Sequence, residues 1–126
     1  MFFLLYLDKN CAERLKRAGY KRLYRTDEPT PYDYYEFEGN EWSLGGQLTG
    51  EGTILAPSEV YERGLLLPTI SDLMNWLVHH DYRFVINYNG NGYRVIVTDE
   101  NEEEIKGKGG TLPYALTSIV EKLLLR

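Results

Sequence analysis

The second half of the chain, residues 65–126, carries three successive hydrophobic patterns that restrict the fold to a narrow class. Four apolar side chains first recur at the i, i+3, i+4, i+7 spacing, which places them on one stripe of a helix: Ile70, Leu73, Met74 and Leu77. Thr69 precedes this stripe as an N-cap, with Asp72 in the capping-box position three residues later. The spacing therefore predicts a helix over about residues 70–80.

The residues after this helix change to a period of two, which is the period of a β-strand. Alternate positions on both sides of an Asn-Gly-Asn-Gly turn are apolar or aromatic: Phe84, Ile86, Tyr88, Tyr93, Val95 and Val97. A two-residue loop would pair Phe84 with Val95, and a four-residue loop would pair Phe84 with Val97. The pattern predicts a β-hairpin over about residues 83–98, and its apolar matching favours the longer loop.

A second helical stripe follows the hairpin, and it runs without a break through seven apolar positions: Leu112, Ala115, Leu116, Ile119, Val120, Leu123 and Leu124. Thr111 is placed to cap this helix, and Pro113 is tolerated in its first turn. Helices over residues 70–80 and 112–125 then flank one hairpin. The sequence predicts an α+β fold, an antiparallel sheet with helices packed on at least one face.

A two-stranded sheet is only marginally stable, so at least one further strand should pair with the hairpin. Residues 103–107 are one candidate. The first half of the chain offers two more, because residues 2–7 form a continuous apolar run and residues 34–38 alternate. Which of these strands joins the hairpin's sheet stays open.

The rest of the first half predicts one short helix and one irregular segment. Asn10, with Glu13 three residues later, indicates the start of the helix, and Gly19 indicates its end. Five glycines between positions 39 and 52 predict a loop or a twisted ribbon. A chain of 126 residues is expected to form one domain, residues 1–126, with its own core.

Charge and cysteine content limit the kinds of partner and the cellular compartment that we expect. The chain has 14 basic and 19 acidic residues and a net charge of −5, which disfavours binding to nucleic acid or to an anionic membrane. Its single cysteine, Cys11, offers no disulfide within the chain and no metal cluster. Residues 1–7 are apolar but lack the features of a signal peptide and end short of a membrane span. We expect a soluble, cytoplasmic protein with no cofactor or metal.

Basic residues are concentrated in the twelve positions 14–25, where Tyr20 and Tyr24 are interleaved with them. Basic side chains beside aromatic rings can bind phosphates and stack bases, which gives five candidates for nucleic-acid binding: Arg14, Arg17, Lys21, Arg22 and Arg25. Five carboxylates follow in residues 27–38. Mutual neutralisation of the two charge runs on a solvated surface explains them equally well and is the first interpretation.

Aromatic residues are concentrated in the polar region that follows. Tyr34, Tyr35 and Trp42 are the candidate binding residues there, because tyrosine and tryptophan are enriched at binding surfaces. The alternative is that alternate aromatic residues on a strand pack inward.

The patterns of known catalytic sites are missing. His79 and His80 are adjacent, so on a helix they diverge by about 100° and do not chelate one metal ion. The Gly-Lys-Gly-Gly-Thr segment at residues 107–111 precedes a helix but lacks the spacing of a phosphate loop. The carboxylates in residues 99–104 match no calcium loop and are expected to keep a hairpin tip solvated. We expect no catalytic residues.

Several short sequence segments together support a resemblance. They are Ala56-Pro57, Leu67-Pro68-Thr69 before Leu73 and Trp76-Leu77, Gly110-Thr111-Leu112-Pro113 before Ala115-Leu116, and, upstream, Leu15 before Ala18-Gly19-Tyr20. In this order around a short hairpin, they resemble small uncharacterised proteins of phages, prophages and bacterial mobile elements. The resemblance covers about the second half, and it implies a bacterial cytoplasmic setting and an accessory role. It brings no activity and no functional residues.

These observations favour a non-enzymatic protein-interaction module whose partner is another protein or a second copy of the chain. The alternative is a small-molecule or nucleotide-binding protein, and a further one is nucleic-acid binding through residues 14–25.

Overall fold

The computed structural model describes residues 6–23, 33–43 and 58–126, and the backbone alone of residues 47–49 and 52–54. Four helices and eight strands lie in this part of the chain: α1 (Lys9–Ala18), β1 (Tyr34–Phe37), β2 (Asn40–Ser43), β3 (Gln47–Thr49), β4 (Gly52–Ile54), α2 (Glu59–Arg63), β5 (Leu65–Leu67), α3 (Ile70–His79), β6 (Arg83–Tyr88), β7 (Tyr93–Thr98), β8 (Glu104–Gly109) and α4 (Leu112–Leu124). The strands form antiparallel sheets with the orders β2-β1-β5, β3-β4 and β6-β7-β8. The protein has an α+β fold, as predicted.

The C-terminal half confirms the predicted order of helix, hairpin and helix. Thr69 and Asp72 form the capping box that starts α3, and the Thr111 hydroxyl accepts from the Tyr114 amide at the start of α4. The hairpin has the longer loop, since Phe84 pairs with Val97. Its third strand is β8, which covers most of the 103–107 candidate and pairs along the whole of β7.

The first half forms a separate sheet. Strand β1 lies within the predicted 34–38 segment, but it pairs with β2 and with β5 and does not join the hairpin's sheet. The glycine-containing region contributes β2, β3 and β4, so it is a set of short strands and not a loop alone. Of the predicted strand at residues 2–7, only Tyr6 and Leu7 are described, and Tyr6 forms an isolated bridge with Thr69.

Helix α1 begins one residue earlier than predicted. Its N-cap is Asp8, whose carboxylate accepts from the Cys11 amide 2.8 Å away, so the prediction of Asn10 as the cap is wrong. An aspartate is as good a cap as an asparagine, and its negative charge favours the positive end of the helix dipole. Gly19 ends the helix in the left-handed conformation, with φ of 98°, as predicted.

The hydrophobic core lies between α1, α3, α4 and the inner face of the β6-β7-β8 sheet. Its completely buried side chains come from all of these elements and from the segment before α1: Leu7, Leu15, Leu73, Leu77, Val95, Val97, Leu116, Ile119 and Val120. Each such side chain stabilises the fold by roughly 1.5–3 kcal/mol relative to exposure. Helix α4 is central because it contacts α1, α3, β7 and β8.

Two glycines of β8 allow α4 to lie directly on the strand. A Cβ atom added at Gly107 would lie 2.9 Å from Cβ of Ile119 and 3.0 Å from the carbonyl oxygen of Ala115. At Gly109 it would lie 2.5 Å from the Ala115 amide nitrogen. Real Cβ atoms do not approach other atoms so closely, so both positions require glycine for steric reasons.

We expect Gly107→Ala to lower the free energy of unfolding by about 1–3 kcal/mol, the usual cost of overpacking a tight site. Gly110→Ala is the matched control, because nothing lies within 4 Å of its added Cβ atom. Urea denaturation measures both. A Gly107→Ala protein as stable as the Gly110→Ala protein would contradict the close approach of α4 and β8.

Candidate functional site

The three aromatic candidates lie on the first-half sheet but differ in exposure. Tyr35 is only 7% exposed and pairs with Trp42 across the β1-β2 ladder. Trp42 and Tyr34 are half-buried. The ring of Tyr34 stacks on Tyr6 with 4.4 Å between centroids, and the Tyr6 hydroxyl donates to the Glu41 carboxylate, which raises the pKa of Tyr6 to about 12. The inward-packing interpretation thus describes Tyr35, whereas Tyr34 and Trp42 keep exposed edges.

The described basic residues of the 14–25 run do not form one continuous surface. Arg14 is not available to a shared basic surface, because its guanidinium makes two hydrogen bonds to Glu121 of α4, at 2.9 and 3.1 Å. Arg22 pairs in the same bidentate way with Asp33, at 2.8 and 2.9 Å. This pair is the neutralisation that the charge runs suggested. Arg17 and Lys21 are exposed, and Arg25 lies outside the described residues.

Members of both candidate groups do meet in one place. Lys21, Arg22 and Tyr35 line a cleft between α1 and β5, whose volume is about 410 Å³. The other candidates that the structure describes do not line it, so the cleft is only part of what either hypothesis predicted.

A surface that the sequence reading overlooked lies on the hairpin's sheet. The side of the β6-β7-β8 sheet opposite to α4, here called the outer face, consists of the alternate residues that point away from the core: Arg83, Val85, Asn87, Arg94, Ile96, Thr98, Glu104, Lys106 and Lys108. Val85 is 57% exposed, although it is a large aliphatic residue at the middle of its strand. Among the described residues, nothing therefore covers the outer face at Val85.

The strand register arranges the outer face in three cross-strand rows. Val85, Ile96 and Lys106 form the central row, and Arg94 lies between Asn87 and Lys108 in the next. Four side chains of the face are cationic and one, Glu104, is anionic. Arg83 donates to Glu102 at 2.7 Å, whereas Arg94, Lys106 and Lys108 form no ion pair with a described residue.

This charge pattern was present in the sequence. The alternation that placed Phe84 and Val95 on the inner face also places Arg94 and Lys108 on the outer one. Apolar positions mark only the inner face of the strands, so they do not reveal the cations on the outer face. The net charge of −5 also hides this local excess of cations.

One of the two adjacent histidines has a structural role. His80 at the end of α3 places Nδ1 2.8 Å from the carbonyl oxygen of Trp76, and its ring lies 4.2 Å from the Trp76 ring. Among the described residues, no three His, Cys, Asp or Glu side chains form a group that could hold a metal ion.

The acidic hairpin tip is more ordered than predicted. Asp99 is only 5% exposed, and its carboxylate accepts from the amides of Asn101 and Glu103, at 2.9 Å each. Arg126 donates to the same carboxylate at 2.9 Å, and this bond is the main reason for the lowered pKa of Asp99. For Asp99, the prediction that these carboxylates keep the tip solvated is wrong, because its side chain is buried and its hydrogen bonds shape the turn.

None of the helices in the described part of the chain has the length and the apolar character needed to cross a membrane. Comparison of the chain with models of protein families, with curated proteins and with solved structures found no match. The resemblance to phage and mobile-element proteins therefore stays a prediction.

The pair of Arg14 and Glu121 makes stability depend on pH in the acid range. Its hydrogen bonds lower the pKa of Glu121, so the stabilisation is complete above the unfolded value of about 4.3 and is lost as pH falls through the folded value. We expect Glu121→Gln to lower the free energy of unfolding by about 1 kcal/mol at pH 7, with a smaller difference at pH 3, which lies below the unfolded value. Urea denaturation at both pH values is the measurement.

Glu100→Gln is the control, because Glu100 is an exposed carboxylate on the β7-β8 loop. It should leave stability unchanged at both pH values. A difference between Glu121→Gln and the natural protein that stays constant from pH 7 to pH 3 would show that the carboxylate charge is not what Arg14 stabilises.

Proposed function

We propose that the protein is a non-enzymatic interaction module that docks an acidic protein segment on its outer face. The observation that supports this most strongly is the exposed aliphatic side chain of Val85, beside the half-buried Ile96, on a face that carries four cations although the chain has a net charge of −5. Apolar centres with charged rims are the usual composition of protein interfaces. The cations select an acidic partner by complementarity.

The centre of the outer face favours a protein over a nucleic acid. Nucleic-acid-binding sheets stack bases on aromatic rings, but Val85 and Ile96 are aliphatic and offer no such surface. The nearby Tyr88 and Tyr93 belong to the other face of the sheet, where their rings pack against each other at 4.8 Å. The acidic remainder of the chain also repels a phosphate backbone.

The same charges argue against two copies of the chain meeting outer face to outer face. Arg94 and Lys108 of one copy would then approach cations of the other, and like charges in an interface cost several kcal/mol. A partner with glutamates or aspartates flanking apolar residues, such as an amphipathic helix, fits both the centre and the rim of the face.

The size of the outer face indicates a reversible complex. Three strands of six residues span roughly 15 Å by 20 Å, or about 300 Å², whereas a stable interface buries about 800 Å² on each partner. Binding should therefore be weak and strongly dependent on salt, since exposed ion pairs are screened within about 8 Å at physiological ionic strength. We include in the proposal a cytoplasmic, accessory role, which the buried free thiol of Cys11 fits.

A photo-crosslinking residue placed at Val85 tests the proposal directly. We expect irradiation of cells that express this variant to give a crosslinked protein of defined mass. The same residue at Val78, which is 62% exposed on α3, is the matched control and should not give that product. The product should resist nuclease. When a lysate is irradiated in place of cells, the product should form at physiological salt and should not form at 1 M salt, where the screening length is about 3 Å.

Charge reversal on the outer face tests whether its cations bind the partner. Arg94→Glu with Lys108→Glu in the Val85 crosslinking protein should reduce the product at least tenfold, whereas Lys9→Glu with Arg17→Glu makes the same change of net charge on α1 and should not. A nuclease-sensitive product would replace the proposal with nucleic-acid binding. Equal crosslinking from Val85 and Val78, or none from Val85, would exclude the outer face as a docking surface.

A further inference from the structure

We propose that the cleft between α1 and β5 binds a small anion that carries a flat ring. Its volume of about 410 Å³ lies within the range of roughly 300–1,000 Å³ that small-molecule sites occupy. The walls that matter for recognition are basic, aromatic and aliphatic: Lys16, Lys21, Tyr20, Tyr35, Tyr61 and Leu66. This site lies on the first half of the molecule and does not depend on the outer face.

The charge of the cleft selects an anion. None of the described residues that line it is a carboxylate. Arg22 also lines it, but its guanidinium is already neutralised by the bidentate pair with Asp33. Lys16 and Lys21 are exposed and form no ion pair with a described residue, so both ammonium groups are free to meet an anionic ligand.

The three tyrosines select a ring. Tyr35 is buried in the wall, and Tyr61, on α2, is 44% exposed, so a flat ligand would cover a face that water now contacts. Burial raises the pKa of both Tyr20 and Tyr35, so their hydroxyls remain neutral and do not repel an anion. Aliphatic residues of β5, among them Leu66, complete an apolar wall beside the cations.

Lysine ammonium groups bind phosphate and carboxylate alike, so two kinds of ligand share the required chemistry. One is a mononucleotide, and the other is an aromatic carboxylic acid. The volume of the cleft admits either. The probes must therefore separate the contributions of the ring, the phosphate and the carboxylate.

Titrations of ¹⁵N-labelled protein followed by NMR provide this separation. The probes are adenosine 5′-monophosphate, adenosine, inorganic phosphate and 4-hydroxybenzoate. We expect at least one of the two ring-bearing anions to shift the amides of Tyr20, Lys21, Tyr61 and Leu66. Adenosine and phosphate alone should bind at least tenfold more weakly than the nucleotide if the ligand is a mononucleotide. Saturation by 4-hydroxybenzoate alone would identify an aromatic acid.

The double variant Lys16→Ala with Lys21→Ala should weaken the binding at least tenfold. The control, Lys9→Ala with Lys122→Ala, removes the same charge outside the cleft and should leave the affinity within twofold. Tyr61→Leu should weaken ring-bearing probes and leave the response to phosphate unchanged. Equal affinity of the Lys16/Lys21 variant and the natural protein, shifts confined to β6, β7 and β8, or no binding of either ring-bearing anion at millimolar concentration would overturn the assignment.

Discussion

The direct contact between the α4 backbone and the β8 backbone is the constraint on which the other contacts depend. Side chains normally separate a helix from the backbone of the sheet on which it packs, but Gly107 and Gly109 let α4 approach until Ala115 and Ile119 touch the strand itself. The helix is thereby fixed in position and rotation over β7 and β8. Its remaining sides then face α1 and α3, which completes the core around Leu116 and Val120.

The same contact determines which side of the sheet is available. Because α3 and α4 both lie on the inner face, the outer face receives no helix from the described part of the chain, and Val85 remains exposed. Exposed aliphatic residues at the middle of a strand are a liability unless something covers them or charges guard them. The cations around Val85 and Ile96 fulfil the second condition, since they oppose stacking of identical faces while they leave the surface open to an acidic partner.

Sequence reasoning succeeded where local signals were strong and agreed with one another. Local hydrogen bonds and backbone preferences mark the element boundaries at Thr69 with Asp72, at Thr111 and at the Asn-Gly turn. Helices α3 and α4 and the register of the hairpin were therefore predictable. Strand β5 has only three residues, Leu65–Leu67, and an apolar run of that length has no period to detect. Its pairing with β1 was therefore not foreseen, and neither was the cleft that it helps to form.

Contacts between residues far apart in the sequence were the second feature that could not be predicted. Arg14 and Glu121 are 107 positions apart, and no local rule links them, so Arg14 was grouped with its sequence neighbours as a phosphate-binding candidate. The outer face was predictable in principle, because the period of two that locates the core also locates the opposite side. What the sequence did not reveal is that the described part of the chain leaves this side uncovered, because α3 and α4 pack on the same face.

The two proposed surfaces act on different layers of the molecule. Ile119 of α4 faces β8, and Glu121 lies about 200° further around the helix, so Arg14 and α1 lie on the side of α4 that faces away from the sheet. The body of α4, roughly 10 Å across with its side chains, therefore separates the sheet from α1. That thickness exceeds the screening length of about 8 Å at physiological ionic strength. The lysines of the cleft and the cations of the outer face therefore act independently in electrostatic terms, and an anion in the cleft does not neutralise the surface offered to an acidic protein.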